Sequence, residues 1–206
     1  EPETVKTWEF GWKTTALQGR MTSKLAVFFS KYTDVQVPGS IGYDTTGDGV
    51  NDSFIGITSN AGKADINGVE WEGQAILADD LGRTGSQFRF GWAVGYIDAD
   101  YKEYIDAFGN DVADERVFQN TPKWTATGTF YYDTPVNLFN TPGMFSVITS
   151  IAYRDDTSQF EVPNPFLDQP SYTLWDLSLV WSQDSGNWSA GIHAKNLGDK
   201  KYKVAG

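Results

Sequence analysis

Apolar and polar residues alternate with period two along most of the chain, the signature of strands with one apolar face; helices would space apolar residues three and four apart. In 7–13, Trp8, Phe10 and Trp12 alternate with Glu9, Gly11 and Lys13. Met21, Leu25, Val27 and Phe29 share a face opposite Thr22, Lys24 and Ser30, and Val69, Trp71, Ala75 and Leu77 oppose Glu70, Glu72 and Gln74. Phe88, Phe90, Trp92, Val94 and Tyr96 alternate with Arg89, Gly91, Ala93 and Gly95, and Trp124, Ala126, Phe130 and Tyr132 oppose Lys123, Thr125, Thr127 and Thr129. Further faces are Phe145, Val147, Ile151 and Tyr153; Trp175, Leu177, Leu179 and Trp181; and Trp188, Ala190, Ile192 and Ala194. These segments predict an all-β chain of eight strands.

The connections alternate in length. Short links fall near 16–19, 78–86, 134–143 and 183–186, and longer polar ones near 38–52, 98–116 and 155–170. An antiparallel up-and-down meander puts the two kinds at opposite ends, as outer-membrane β-barrels do with short periplasmic turns and long external loops. Most segments reach the ~9–11 residues that a tilted spanning strand needs. Aromatics stand near segment ends, at Trp8, Trp124, Tyr132, Tyr153, Trp175, Trp181 and Trp188, where an interfacial girdle belongs. A soluble β-sandwich satisfies the same alternation. The two readings differ in where the aromatic faces go: a barrel turns Trp8, Trp71, Trp92 and Trp175 to lipid, and a sandwich buries them between two sheets.

Composition narrows the classes. Of 206 residues, 16 are Lys or Arg and 27 are Asp or Glu, for a net charge of −11. That balance argues against nucleic acid as a partner, which demands a basic stripe. The absence of cysteine excludes disulfides, thiolate metal sites and cysteine nucleophiles. No apolar run is long enough for a spanning helix, a test that a β-barrel passes unseen. The chain opens Glu1-Pro2-Glu3, without a signal segment, and reads as a mature product or a piece of something longer.

Four stretches carry a family resemblance. Gly19-Arg20 opens a strand that ends Tyr32-Thr33-Asp34-Val35-Gln36-Val37; Asn60-Ala61-Gly62-Lys63-Ala64 leads to Gly68-Val69-Glu70; Asn120-Thr121-Pro122-Lys123-Trp124 begins another strand; and Asn196-Leu197-Gly198-Asp199-Lys200-Lys201-Tyr202 stands near the C-terminus. In this order and spacing they resemble the C-terminal barrel half of TonB-dependent outer-membrane receptors. The resemblance implies a barrel of about 22 strands closed by an N-terminal plug, importing scarce ligands such as metal-siderophores with energy relayed by TonB. Residues 1–206 would then be one C-terminal barrel segment, an eight-strand arc in the bacterial outer membrane surrounded by lipid. The plug, the TonB-contact region and the final strand would be missing, and Gly198 stands where the family usually has Phe. Closure of eight strands on themselves is the other geometry open to the pattern.

The sharpest local motif is 44–52. Asp44, Thr46, Asp48, Val50 (through its carbonyl) and Asp52, with Gly49 for the tight turn, have the spacing of an oxygen cage for Ca2+. Its bland counterpart is a polar Gly/Asp/Asn-rich loop. Glu70 and Glu72 share a strand face, as a glycosidase pair would, but a polar lumen row explains them better. The one histidine, His193, has no partner for a transition-metal cluster and lies on a polar face. No nucleophile elbow or phosphate loop is present, so no enzyme is expected. External loops 41–52, 104–119 and 158–170 are the expected ligand-capturing elements, with Tyr43, Tyr104, Phe108, Phe160 and Phe166 as the best contacts. The alternative function is a secreted calcium-binding β-sandwich that binds carbohydrate on an aromatic platform.

Overall fold

The computed structural model describes residues 2–203; within them the side chains at 37–41, 54, 57, 59 and 61 lie outside the description. Val37, Ile41 and Ala61, named above for a motif or a loop boundary, are among these. Eight strands form one sheet: β1 (Thr4–Ala16), β2 (Met21–Tyr43), β3 (Ser53–Asp79), β4 (Gln87–Tyr104), β5 (Trp124–Pro135), β6 (Gly143–Arg154), β7 (Tyr172–Gln183) and β8 (Ser189–Ala194). Each pairs antiparallel with the next, in the order β1 to β8. The short connections (17–20, 80–86, 136–142 and 184–188) therefore share one end of the sheet, and the long ones (44–52, 105–123 and 155–171) share the other.

The pairing register turns the sequence alternation into two continuous faces, because directly opposed residues project to the same side. One row runs Leu25↔Trp71, Trp71↔Val94, Val94↔Ala126 and Ala126↔Tyr153; another runs Ala75↔Phe90 and Phe90↔Phe130. Trp8 (73% exposed), Trp71 and Trp175 stand open on this apolar face, and the described residues include only four buried hydrophobics, Val35, Ala64, Tyr104 and Trp181. A β-sandwich would cover such a face with a second sheet; here all eight strands lie in one sheet, which removes the sandwich alternative.

Two indoles of the apolar face satisfy their donors within the sheet, as hydrocarbon demands. The Trp71 indole donates to Ser23 Oγ at 2.9 Å, and that of Trp175 to Thr149 Oγ1 at 2.7 Å. Glycine makes room where indoles lie flat on the backbone. A Cβ on Gly73 would come within 2.4 Å of the Trp92 ring, and one on Gly143 equally close to Trp181. Aromatic pairs mark both ends of the band: Tyr96 with Trp124 toward the long loops (centroids 4.7 Å apart) and Trp181 with Trp188 toward the short turns (4.6 Å).

The first long connection departs from expectation. Residues 38–43, read as part of a polar loop, are strand, paired with 53–58 from Pro38↔Thr58 to Tyr43↔Ser53. Pro38-Gly39 breaks strands that have neighbours on both sides, but β1 stops pairing at Thr33 and β4 at Gly62, so this arm has one neighbour per limb and tolerates a missing N–H. The arm leaves the sheet at a bulge. Asp34 takes a left-handed conformation (φ 59°), and the Asn60 side chain donates to its carbonyl at 2.9 Å.

Candidate functional site

The second face of the sheet is polar. Lys24 pairs with Glu72 at 2.9 Å, and Arg20 pairs with Asp79 near the short turns. Arg89 donates to Asp133 at 2.7 Å and lies over the Tyr131 ring, while Ser146 donates to the same carboxylate at 2.5 Å. His193 sits on this face with Nδ1 2.9 Å from Ser178 Oγ. Cross-strand contacts thus absorb Glu72 and His193, as a lumen-lining row would, and Glu72 is held by a lysine rather than poised opposite Glu70.

Above the aromatic band the long loops are braced against each other. Tyr104, at the end of β4, packs with Val35 of β2 and Ala64 of β3 in the buried cluster, joined by Tyr101 and Phe118. Tyr101 stacks on Phe118 at 4.4 Å and meets Tyr104 edge-on at 5.2 Å. The Tyr104 hydroxyl donates to Glu161 Oε2 at 2.5 Å, and Arg116 lies over the Tyr104 ring. Backbone bonds from Val117 N to Glu161 O and from Asn120 N to Ser158 O, each 2.9 Å, join 105–123 to 155–171 edge to edge. Burial first, and then the bond to Glu161, pushes the Tyr104 hydroxyl well above the ordinary tyrosine range.

This bracing changes the role of one expected contact. Tyr104 is buried (5% exposed) and serves the packing of the loops, whereas Phe108 and Phe166 are each 90% exposed and Tyr43 and Phe160 are half exposed. The Phe166 carbonyl accepts from Lys203 Nζ at 2.9 Å, which holds the backbone under that ring. Where the two loops meet the sheet, a cleft of about 270 Å³ is lined by charges of both signs, Asp100, Arg116, Lys123, Asp155 and Asp156 among them. Glu161 and Arg116 carried no local sequence signal, because their importance comes from contacts across two loops.

The 44–52 tip is organised by its carboxylates. Asp44 accepts from the amides of Gly49 and Gly47 at 2.6 Å and of Thr46 at 2.9 Å, and Asp52 accepts from Thr45 N and Oγ1. Asp48 accepts from Val50 N at 2.8 Å. These amide bonds hold Asp44 below the usual carboxylate range, and the Thr45 amide followed by its hydroxyl does the same for Asp52. Among the described residues no three acidic or imidazole side chains gather into a metal-holding group.

One sheet with an apolar outer face, a polar inner face, aromatic bands and ends of unequal length defines the wall of an outer-membrane β-barrel. The family model for the TonB-dependent receptor-like β-barrel matches residues 1–197, and the chain belongs to that family, whose barrels sit in the bacterial outer membrane. A similar solved structure is the ferric yersiniabactin uptake receptor FyuA from Yersinia pestis, with a TM-score of 0.67 and 19% identity over 98% of this chain and 26% of that one. The likeness is one of fold, and the chain spans about a quarter of that receptor's length.

Proposed function

We propose that the chain forms wall and external mouth of a receptor that takes up a siderophore-like metal chelate, energised through TonB. The observation that carries this reading is the braced pair of external loops above a polar-faced barrel wall, with Phe108 and Phe166 exposed on them. Exposed rings on a fixed base offer apolar contact area with little ordering cost on binding. The similar receptor's description as a ferric yersiniabactin uptake receptor supports a ferric chelate as ligand class. Uptake, rather than turnover, is the activity that fits a family of transport receptors.

The test is uptake of radiolabelled ferric chelates by cells that carry the full-length receptor as their sole route, with and without TonB. Accumulation that needs TonB and falls at least several-fold when Phe108 and Phe166 are both replaced by Ala is the expected result. Accumulation independent of both would refute the reading.

A further inference from the structure

The external end of the polar face holds a second concavity beside the mixed-charge cleft. The row Glu70↔Gly95, Gly95↔Thr125, Thr125↔Arg154 and Arg154↔Tyr172 puts Arg154, the last residue of β6, and Tyr172, the first of β7, on the lumen side where 155–171 leaves the sheet. A cleft of about 160 Å³ opens there, lined by Arg154, Lys203, Asn120, Gln169, Tyr172 and Tyr202 among others. The two tyrosine rings stack at 4.7 Å, which seats the C-terminal segment against β7. Gln169, 5% exposed, accepts from the Lys203 amide and anchors that segment to the loop.

Charge singles this cleft out. The chain has a surplus of acids, with a net charge of −11, and on the lumen side Arg20, Lys24 and Arg89 each meet a carboxylate. Arg154 and Lys203 meet none: no acidic residue lines the cleft, and neither cation forms an ion pair among the described residues. Their partners are carbonyls instead. Arg154 donates to Asn120 O at 3.0 Å, and Lys203 Nζ donates to Phe166 O at 2.9 Å and Asp168 O at 2.8 Å. The Asp168 carboxylate is itself taken by the amides of Gln159 and Asn164. Carbonyls fix the direction of a cation without cancelling its charge, and a guanidinium keeps a planar fork of donors that matches a carboxylate.

We propose that this cleft binds a carboxylate group of the ligand entering the mouth, against Arg154 and Lys203 and beside the stacked Tyr172 and Tyr202. The inference rests on the uptake reading above, and it makes anionic chelates the favoured class over neutral ones.

Calorimetry on the full-length receptor in mild detergent, with citrate as the probe and its neutral trimethyl ester as the comparison, tests it. Wild type should bind citrate and not the ester. Arg154→Gln should weaken citrate binding several-fold, whereas Lys31→Gln, which removes the same charge from the opposite face at β2, should leave it unchanged. Should Arg154→Gln fail to assemble, Lys203→Met serves instead, with the same loss expected. No binding of citrate by wild type, equal binding of the ester, affinity unchanged in whichever variant assembles, or tighter binding of inorganic phosphate than of citrate would each overturn the proposal. The measurement needs neither TonB nor transport, so it fails separately from the uptake test.

Discussion

Tyr104 and Glu161 share a hydrogen bond of 2.5 Å across 57 positions of sequence, with the phenol buried and the carboxylate supplied by a different loop. One polar contact therefore fastens 155–171 to the end of β4. Replacing Tyr104 by Phe keeps the ring in its cluster and strands the Glu161 carboxylate, a change that costs about 1–3 kcal/mol where the acceptor is out of water. The expected outcome is faster amide exchange at Val117 and Asn120, which bridge the loops, with the sheet amides unchanged. Glu161→Gln with Tyr104 intact, which preserves an acceptor for its hydroxyl, should keep most of the protection.

The two faces of β4 predict opposite tolerances. Val94→Arg places a cation in the lipid-facing band and should cost about 2–4 kcal/mol, lowering the yield of folded receptor in membranes. Ala93→Arg, one residue away, faces the lumen directly across from Glu72 and should assemble normally. Heat-modifiable gel mobility of the two variants reads the difference.

Gly143→Ala would set a methyl 2.4 Å from the Trp181 ring. The indole must then leave its seat and its bond to the Val136 carbonyl. A destabilisation of about 1–3 kcal/mol is expected for such overpacking, seen as a lower urea midpoint followed by tryptophan fluorescence.

The 44–52 tip should loosen in acid. Asp44 and Asp52 have depressed folded pKa values, so their contribution is complete above the ordinary aspartate value near ~4 and is lost as pH falls through the lower folded values. Protection of the Gly47 and Gly49 amides, taken relative to the intrinsic exchange rate at each pH from ~7 down to ~3 about the aspartate range, should fall toward the acid end. Asp44→Asn should lower that protection already at neutral pH. Calorimetry with calcium reads the other expectation for this loop: heat that disappears in Asp44→Asn supports an oxygen cage, and its absence leaves amide bonding as the source of order.

Much of the architecture was legible because barrel strands obey one rule, alternation, and every segment from Trp8 to Ile192 displays it. The faces of Trp8, Trp71, Trp92 and Trp175 followed from parity alone, as did the polar setting of His193. Two things were not legible. Pro38-Gly39 reads as a loop in any local analysis, and only the end of pairing at Thr33 and Gly62 shows why strand continues through it. Tyr104 reads as an external aromatic free to meet a ligand, and only contacts from Val35, Ala64 and Glu161, distant in sequence, bury it.

Beyond Thr33 on β2 and Gly62 on β3, the backbone pairing of the β2–β3 arm is between its own two limbs. Residues added in equal number to both limbs lengthen the arm and leave every pair below it intact, so its reach can change by simple duplication of rungs. A single residue added to one limb shifts the parity of that limb alone and has to be absorbed as a bulge, as at Asp34. The external surface can thus change in reach by paired additions and in direction by bulges, while the membrane-embedded register stays fixed.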